Sequence, residues 1–218
     1  MNTKEKILIA SKELFQEHGF GAPTLNSIAQ KLGISRGNLT YYFKDKEALL
    51  EDLAEEMMAK YEANIGRAMQ FPSWSSTNKT TDVYLELQRE YSFIFLDAKV
   101  CSHPKIVEQI RRMKEDLLKR QMSIINFSIQ IGNMKQEAIP GTYRNLCETL
   151  WMINFYWFAS ESYRKETAKT SWDKLVWGII LPHFTEKGIA SFKEHFGENY
   201  FEKLGETDEN TLFQAAKF

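Results

Sequence analysis

Apolar residues recur every three or four positions along almost the whole chain, and no stretch alternates in the two-residue rhythm of a strand. The pattern predicts an all-α protein. Ile7, Leu8, Ser11, Leu14, Phe15 and His18 trace one face of a first helix, which Gly19 is expected to end as a left-handed cap. Thr24 is placed to cap a second helix that turns Leu25, Ile28, Ala29 and Leu32 inward. Gly33 turns the chain, and Ser35 caps a short third helix from Arg36 to about Tyr42. Asp45 caps a long fourth helix with the stripe Leu50, Leu53, Met57, Tyr61 and Ile65, ending near Phe71 and Pro72.

The polar run 73–81 predicts a linker. Tyr84, Leu87, Tyr91, Ile94 and Ala98 then form a stripe, with Leu85, Phe93, Leu96 and Val100 on the other sides, so this helix is expected to be buried all round. Ser102-His103-Pro104 restarts the helix with proline at its first position, and the pattern runs on to Gly132. Ile139-Pro140-Gly141 is the next break. Two helices follow, about 142–166 and 171–187, and short C-terminal helices close the chain. The first has one stripe of Leu146, Leu150, Ile153 and Trp157, and another of Trp151, Phe155 and Phe158, roughly 130° around the axis. The second repeats this with Trp172, Val176 and Ile179 against Trp177, Leu181 and Phe184. Helices apolar on two sides need two things to bury against. One is their own domain; the other is the same pair in a second copy, or else further helices of a larger monomeric bundle.

Composition narrows the class. Of the 218 residues, 43% are apolar and 26% charged, which favours a packed core over disorder. The net charge of −1 hides a slight basic excess in the first fifty residues, too small to mark a nucleic-acid binder unaided. Cys101 and Cys147 form neither a disulfide framework nor a zinc pattern, so reduced thiols in a cytoplasmic protein are expected. The most apolar stretches, 150–159 and 175–181, fall short of the roughly 20 residues that cross a bilayer, and no leader is visible, so no membrane partner is expected. His18, His103, His183 and His195 are scattered without metal-ligand spacing, and there is no phosphate-binding glycine loop. No enzyme activity, metal or cofactor is predicted.

Chemistry concentrates between residues 24 and 46. Two short helices joined by a glycine-bearing turn and braced by a preceding helix make a helix-turn-helix. Ile28, Ala29, Leu32, Ile34 and Leu39 supply its inward face. Arg36 and Asn38 stand on the outer face, with Gly37 between them allowing close approach of backbone to DNA. Arginine suits the O6/N7 edge of guanine and asparagine the N6/N7 edge of adenine. Thr40, Tyr41, Tyr42 and Lys46 follow, and hydroxyls with one ammonium suit phosphate oxygens. Lys46 opens a helix, where the macrodipole favours an anion; an external phosphate explains a cation there.

Residues 24–50, TLNSIAQKLGISRGNLTYYFKDKEALL, closely resemble the DNA-binding motif of the tetracycline-repressor (TetR) family. The likeness lies in the Ile-Ala pair, the Gly-Ile-Ser turn, the Gly-x-Leu of the reading helix and the Tyr-Phe-Lys-x-Lys-Glu-x-Leu run. It covers only about the first fifty residues. It implies that Arg36, Gly37 and Asn38 face bases, and that Thr24, Thr40, Tyr41, Tyr42 and Lys46 hold the DNA backbone. Thr40 departs from the family, which usually has tyrosine there.

The resemblance further implies a division into a helix-turn-helix domain, 1–46, and a helical ligand-binding and dimerisation domain, 47–218. Such a protein is a homodimeric regulator on a palindromic operator in double-stranded DNA, released by a small ligand. Dense aromatic and methionine side chains suggest an apolar ligand, with a pocket among Tyr91, Phe95, Met113, Leu117, Phe127, Trp151 and Phe155. Trp157, Trp177, Leu181 and Phe184 are the expected dimer contacts. Two alternatives stay open: a helix-turn-helix regulator that is controlled by a protein partner or acts as an activator, and a helical lipid carrier or enzyme with a vestigial DNA-binding motif.

Overall fold

The computed structural model describes residues 2–68, 83–161, 172–198 and 200. Among them the chain is helical throughout: α1 (Thr3–His18), α2 (Leu25–Leu32), α3 (Arg36–Tyr42), α4 (Lys46–Ala68), α5 (83–90), α6 (Ser92–Leu96), α7 (Pro104–Gln130), α8 (Thr142–Glu161), α9 (Trp172–Ile180) and α10 (Glu186–Phe196). Single 3₁₀ turns stand at Val100–Ser102 and Leu181–His183. No strand occurs among the described residues, only an isolated antiparallel bridge between Met134 and Phe184. No described helix is long and apolar enough to cross a membrane, and no described group of His, Cys, Asp and Glu is placed to hold a metal ion. The expected 73–81 linker lies outside the described residues.

The chain divides into two compact units, one of residues 1–71 and 76–115, the other of 72–75 and 116–218.

In the first unit, local capping explains where helices begin. Asn2 and Glu5 cap α1 reciprocally, Glu5 N–H donating to Asn2 Oδ1 and Asn2 N–H to Glu5 Oε2, both at 2.9 Å. Asp45 Oδ1 accepts from Ala48 N–H at 2.8 Å at the start of α4. Ile7, Ala10, Ser11 and Phe15 are the buried face of α1. Phe15 sits edge-on to Phe20 and Phe93 at 5.2 and 5.4 Å between ring centres. Burying a ring of this size contributes about 2 kcal/mol. The α4 stripe is buried at Leu50, Leu53, Met57 and Tyr61, joined by Leu49 and Ala54. Gly19 has positive φ, but its ψ of 167° places it outside the left-handed helical region, so the expected cap is instead an extended bend open to glycine. The stripe after residue 83 is not one helix. It breaks at Tyr91 (φ −121°, ψ 36°), and Leu96 and Ala98 are exposed rather than buried.

Around that break lies a half-buried ionic cluster. Lys12 of α1 donates to Glu56 of α4 at 3.2 Å and to Glu90 of α5 at 2.5 Å. Lys60 meets the same two carboxylates at 3.3 and 2.5 Å. Tyr91 Oη donates to Glu56 at 2.6 Å, and burial together with Glu56 pushes the phenol well above its ordinary range. Burial alone would raise Glu56 and Glu90 and lower Lys12, yet the hydrogen bonds and opposite charges outweigh it, so both carboxyls lie below 4.5 and Lys12 above 10.5. The signs fix the pH window. Carboxyls lowered in the folded chain add stability above their unfolded value and lose it as pH falls through the folded one. A raised lysine adds stability below 10.5 and loses it as pH rises through its folded value. The melting-temperature gap between wild type and Lys12→Met is therefore expected to be flat near neutrality and to close as pH falls from about 5 to 3. A gap unchanged at pH 3 would show that the cluster contributes nothing.

α7 runs unbroken to Gln130, and from residue 116 onward it belongs to the second unit. The core gathers Ile125, Tyr143, Leu146, Cys147, Leu150, Val176, Trp177, Leu181, Phe184 and Phe192. Trp177 meets Phe192 and Phe196 of α10 edge-on at 4.9 and 5.6 Å. One expectation is corrected here, and the burial of the expected dimer contacts bears on another. A single helix over 171–187 does not form, because Pro182 lacks an N–H and its ring clashes with the turn before it; the helix gives way to the 3₁₀ turn at Leu181. Trp177, Leu181 and Phe184, expected to face a partner, are 3%, 9% and 6% exposed within the single chain. Trp177 is covered by α10 within the single chain. Trp157 is half-buried. Among the described side chains of α8 and α9, the large apolar ones left exposed are Met152, Tyr156 and Leu175, at 57%, 68% and 36%.

Candidate nucleic-acid interface

α2 and α3 follow from three local devices. Thr24 Oγ1 accepts from Ser27 N–H at 3.1 Å, while Ser27 Oγ takes Thr24 N–H at 2.9 Å. Gly33 then adopts the left-handed conformation (φ 66°, ψ 27°), its N–H returning to the last carbonyls of α2. A side chain there would cost about 1 kcal/mol. Ser35 Oγ accepts from Asn38 N–H at 3.1 Å and starts α3.

With Ile28 and Leu39 wholly buried and Ala29 nearly so, the two helices have one possible inward face. The outer face of α3 then follows by rotation. Arg36, Gly37 and Asn38 are all exposed there. Tyr41 is 83% and Tyr42 39% exposed, their rings edge-to-face at 5.1 Å. Tyr41 is thus a large aromatic side chain held in solvent, without the core role open to Phe43, which is 2% exposed. Thr40 is half-buried, and its hydroxyl donates back to the carbonyls of Arg36 and Gly37 at 3.0 and 3.2 Å, leaving its lone pairs outward. Thr24 is exposed at the opposite end of the motif.

Lys46 does not behave as the dipole argument expected. Its ammonium donates to the carbonyls of Phe20, Gly21 and Pro23 at 2.7, 3.2 and 3.0 Å and lies 4.5 Å from the centre of the Phe20 ring. Carbonyls of its own chain satisfy this cation. Burial holds it below lysine's ordinary 10.5. Lys44, which sequence reasoning passed over, is the lysine beside the exposed tyrosines whose side chain is 83% exposed, with only Asp45 nearby at 3.8 Å.

The pocket candidates separate. Tyr91, Phe95 and Met113 are buried in the first unit; Leu117 and Trp151 are buried and Phe155 half-buried in the second. Trp151 and Phe155 stack obliquely at 5.6 Å. Phe127 is 42% exposed in the single chain. A shallow groove of about 550 Å³ between Lys135 and Lys193, floored by Phe184 and Ile189, contains none of these residues.

Residues 7–53 match the pattern of bacterial regulatory proteins of the tetR family, and residues 52–192 match that of a bacterial transcriptional repressor named for TetR. The chain belongs to the tetR family of bacterial regulatory proteins. Among individual relatives, the HTH-type transcriptional regulator QacR of Staphylococcus aureus is 32% identical over 96 residues, 40% of this chain and 51% of that one. The chain spans about half the length of the curated relatives it matches. Among solved structures, a TetR-family transcriptional regulator from Marinobacter aquaeolei superposes with a TM-score of 0.77 at 21% identity, over 90% of this chain and 99% of that one. SmeT, the repressor of a Stenotrophomonas maltophilia multidrug efflux pump, solved with triclosan, gives 0.63 at 17% identity over 84% and 92%. These two share the tetR-family fold with this chain, and the names of the relatives are those of regulators, not enzymes.

Proposed function

We propose that this protein is a repressor that reads a palindromic operator as a homodimer and leaves it when a small apolar molecule binds its second domain. Residues 1–46 are the reading part and 47–218 the ligand and dimer part. The observation that carries this reading is the run Arg36-Gly37-Asn38, exposed on a helix whose other face is pinned by Leu39. Arg36 and Asn38 take base edges, Gly37 lets the backbone come close, and the hydroxyls of Thr24, Thr40, Tyr41 and Tyr42 take phosphates.

The ligand part rests on less: the buried or half-buried Leu117, Trp151 and Phe155 of the second unit, and a structural neighbour solved with triclosan, itself an apolar aromatic molecule. The dimer is isologous. With Trp177, Leu181 and Phe184 used inside the chain, it forms through Met152, Tyr156 and Leu175 around the exposed Gly178.

Selection of genomic fragments on purified protein yields the operator. On that duplex, Arg36→Ala or Asn38→Ala is expected to cost about 1–3 kcal/mol and to relax preference at particular base pairs, while binding to random DNA barely changes. Equal losses on operator and random duplex would refute the base-reading role, and recovery of no fragment at low salt would refute the function.

A further inference from the structure

We propose that Lys46 is a positioning residue: an internal latch that closes the base of the helix-turn-helix, leaving Lys44 as the cation that meets the DNA backbone. The latch is a property of the protein alone; its consequence for DNA rests on the function proposed above.

An ammonium has three N–H donors and no acceptor. Those of Lys46 have three carbonyl partners, Phe20, Gly21 and Pro23, all in the turn between α1 and α2 where no helical ladder can use them. The Phe20 ring covers the same cation. To reach a phosphate, Lys46 must abandon all of these partners at once. The place of the cage matters as much as its geometry. Residues 20–23 lie just before Thr24, the cap of α2, and Lys46 is the first residue of α4. The latch therefore joins the two ends of the segment that carries α2 and α3. It sets the angle at which the reading helix leaves α4, and any tilt of the start of α4 passes through it to the cap of α2. Lys44 has different surroundings: a side chain 83% exposed, close along the chain to the exposed Tyr41 and Tyr42, with the Asp45 carboxylate at 3.8 Å.

The two roles give different signatures. A phosphate contact tolerates arginine, which keeps the charge and suits phosphate oxygens; a three-carbonyl cage shaped for an ammonium does not, because the guanidinium is larger, planar and forked. In protein carrying ¹⁵N-labelled lysine, the Lys46 ammonium signal is expected to be protected from solvent exchange without DNA and unmoved by adding the selected operator duplex. Lys46→Met and Lys46→Arg are both expected to lose roughly tenfold in operator affinity, measured where circular dichroism shows them folded, with the salt dependence unchanged. Lys44→Gln is expected to flatten that dependence by about one unit of slope at unchanged melting temperature. Wild-type affinity in Lys46→Arg, or a flattened slope in Lys46→Met, overturns the proposal. If the wild type binds no duplex, the function fails instead, and the latch stands or falls on the ammonium signal: rapid exchange with solvent in the free protein refutes it.

Discussion

Gly188→Ala is expected to destabilise the second unit by about 3 kcal/mol, lowering the melting temperature by roughly 10 °C. A Cβ built on Gly188 falls 2.0 Å from the Asn133 carbonyl oxygen and 2.9 Å from its carbon, far inside any contact carbon can make. The obstacle is backbone, so no side-chain rotation relieves it. Neither segment is free to withdraw. Thr185 N–H donates to Asn133 O at 3.0 Å and Thr185 Oγ1 to Gly132 O at 2.6 Å, Lys135 N–H returns to His183 O at 2.9 Å, and Met134 pairs with Phe184. Separating the segments of this clasp also lifts α10, whose Phe192 is wholly buried against Trp177. The same exchange at Gly37 makes the comparison. There the new Cβ meets only Ser35 Oγ, at an ordinary 3.9 Å, and alanine favours a helix interior, so the fold should be unchanged or firmer. A thermal melt of Gly188→Ala within a degree or two of wild type would show that the clasp yields easily.

How far the fold was legible in the sequence depends on the range of the interaction. Thr24, Ser35 and Asp45 bond to an amide three residues on, and Gly33 bends back on its own helix, so each declares itself within one turn. The helix-turn-helix needs little else. The periodicity of α9 likewise showed two apolar stripes, but a stripe does not say what covers it. The residues that decide this, Phe192 and Phe196, sit on α10, for which the pattern gave only short closing helices. Pro182 lies within the apolar spacing that predicts one helix over 171–187, and it ends that helix. Lys46 fails for another reason. The macrodipole belongs to its own helix, whereas the carbonyls that satisfy the ammonium come from residues 20–23. The Lys12–Glu56–Glu90 cluster joins three helices in the same way, and nothing within one helix announces it.

Met152→Glu with Tyr156→Glu is expected to yield a folded monomer that binds the operator at least about a hundredfold more weakly than the wild type. Both side chains lie on one side of α8, four residues apart, and are more than half exposed in the single chain, so charge there removes no core contact. In an isologous pair each substitution appears twice, and four carboxylates would stand in one small apolar patch at the cost of desolvation and mutual repulsion. The loss on DNA follows from geometry rather than from any contact to bases. A dimer engages two half-sites together, the second binding step being effectively intramolecular; a monomer holds one. Two controls isolate the effect. Ile139→Glu is as exposed, at 71%, but lies before α8, and should leave both assembly and affinity intact. Trp177→Glu, at a position 3% exposed, should unfold the second unit rather than release folded monomers. Light scattering and operator titration of all three separate the outcomes. A wild type that is monomeric at micromolar concentration would refute the dimer, and a double variant that remains dimeric would place the partner elsewhere than on Met152 and Tyr156.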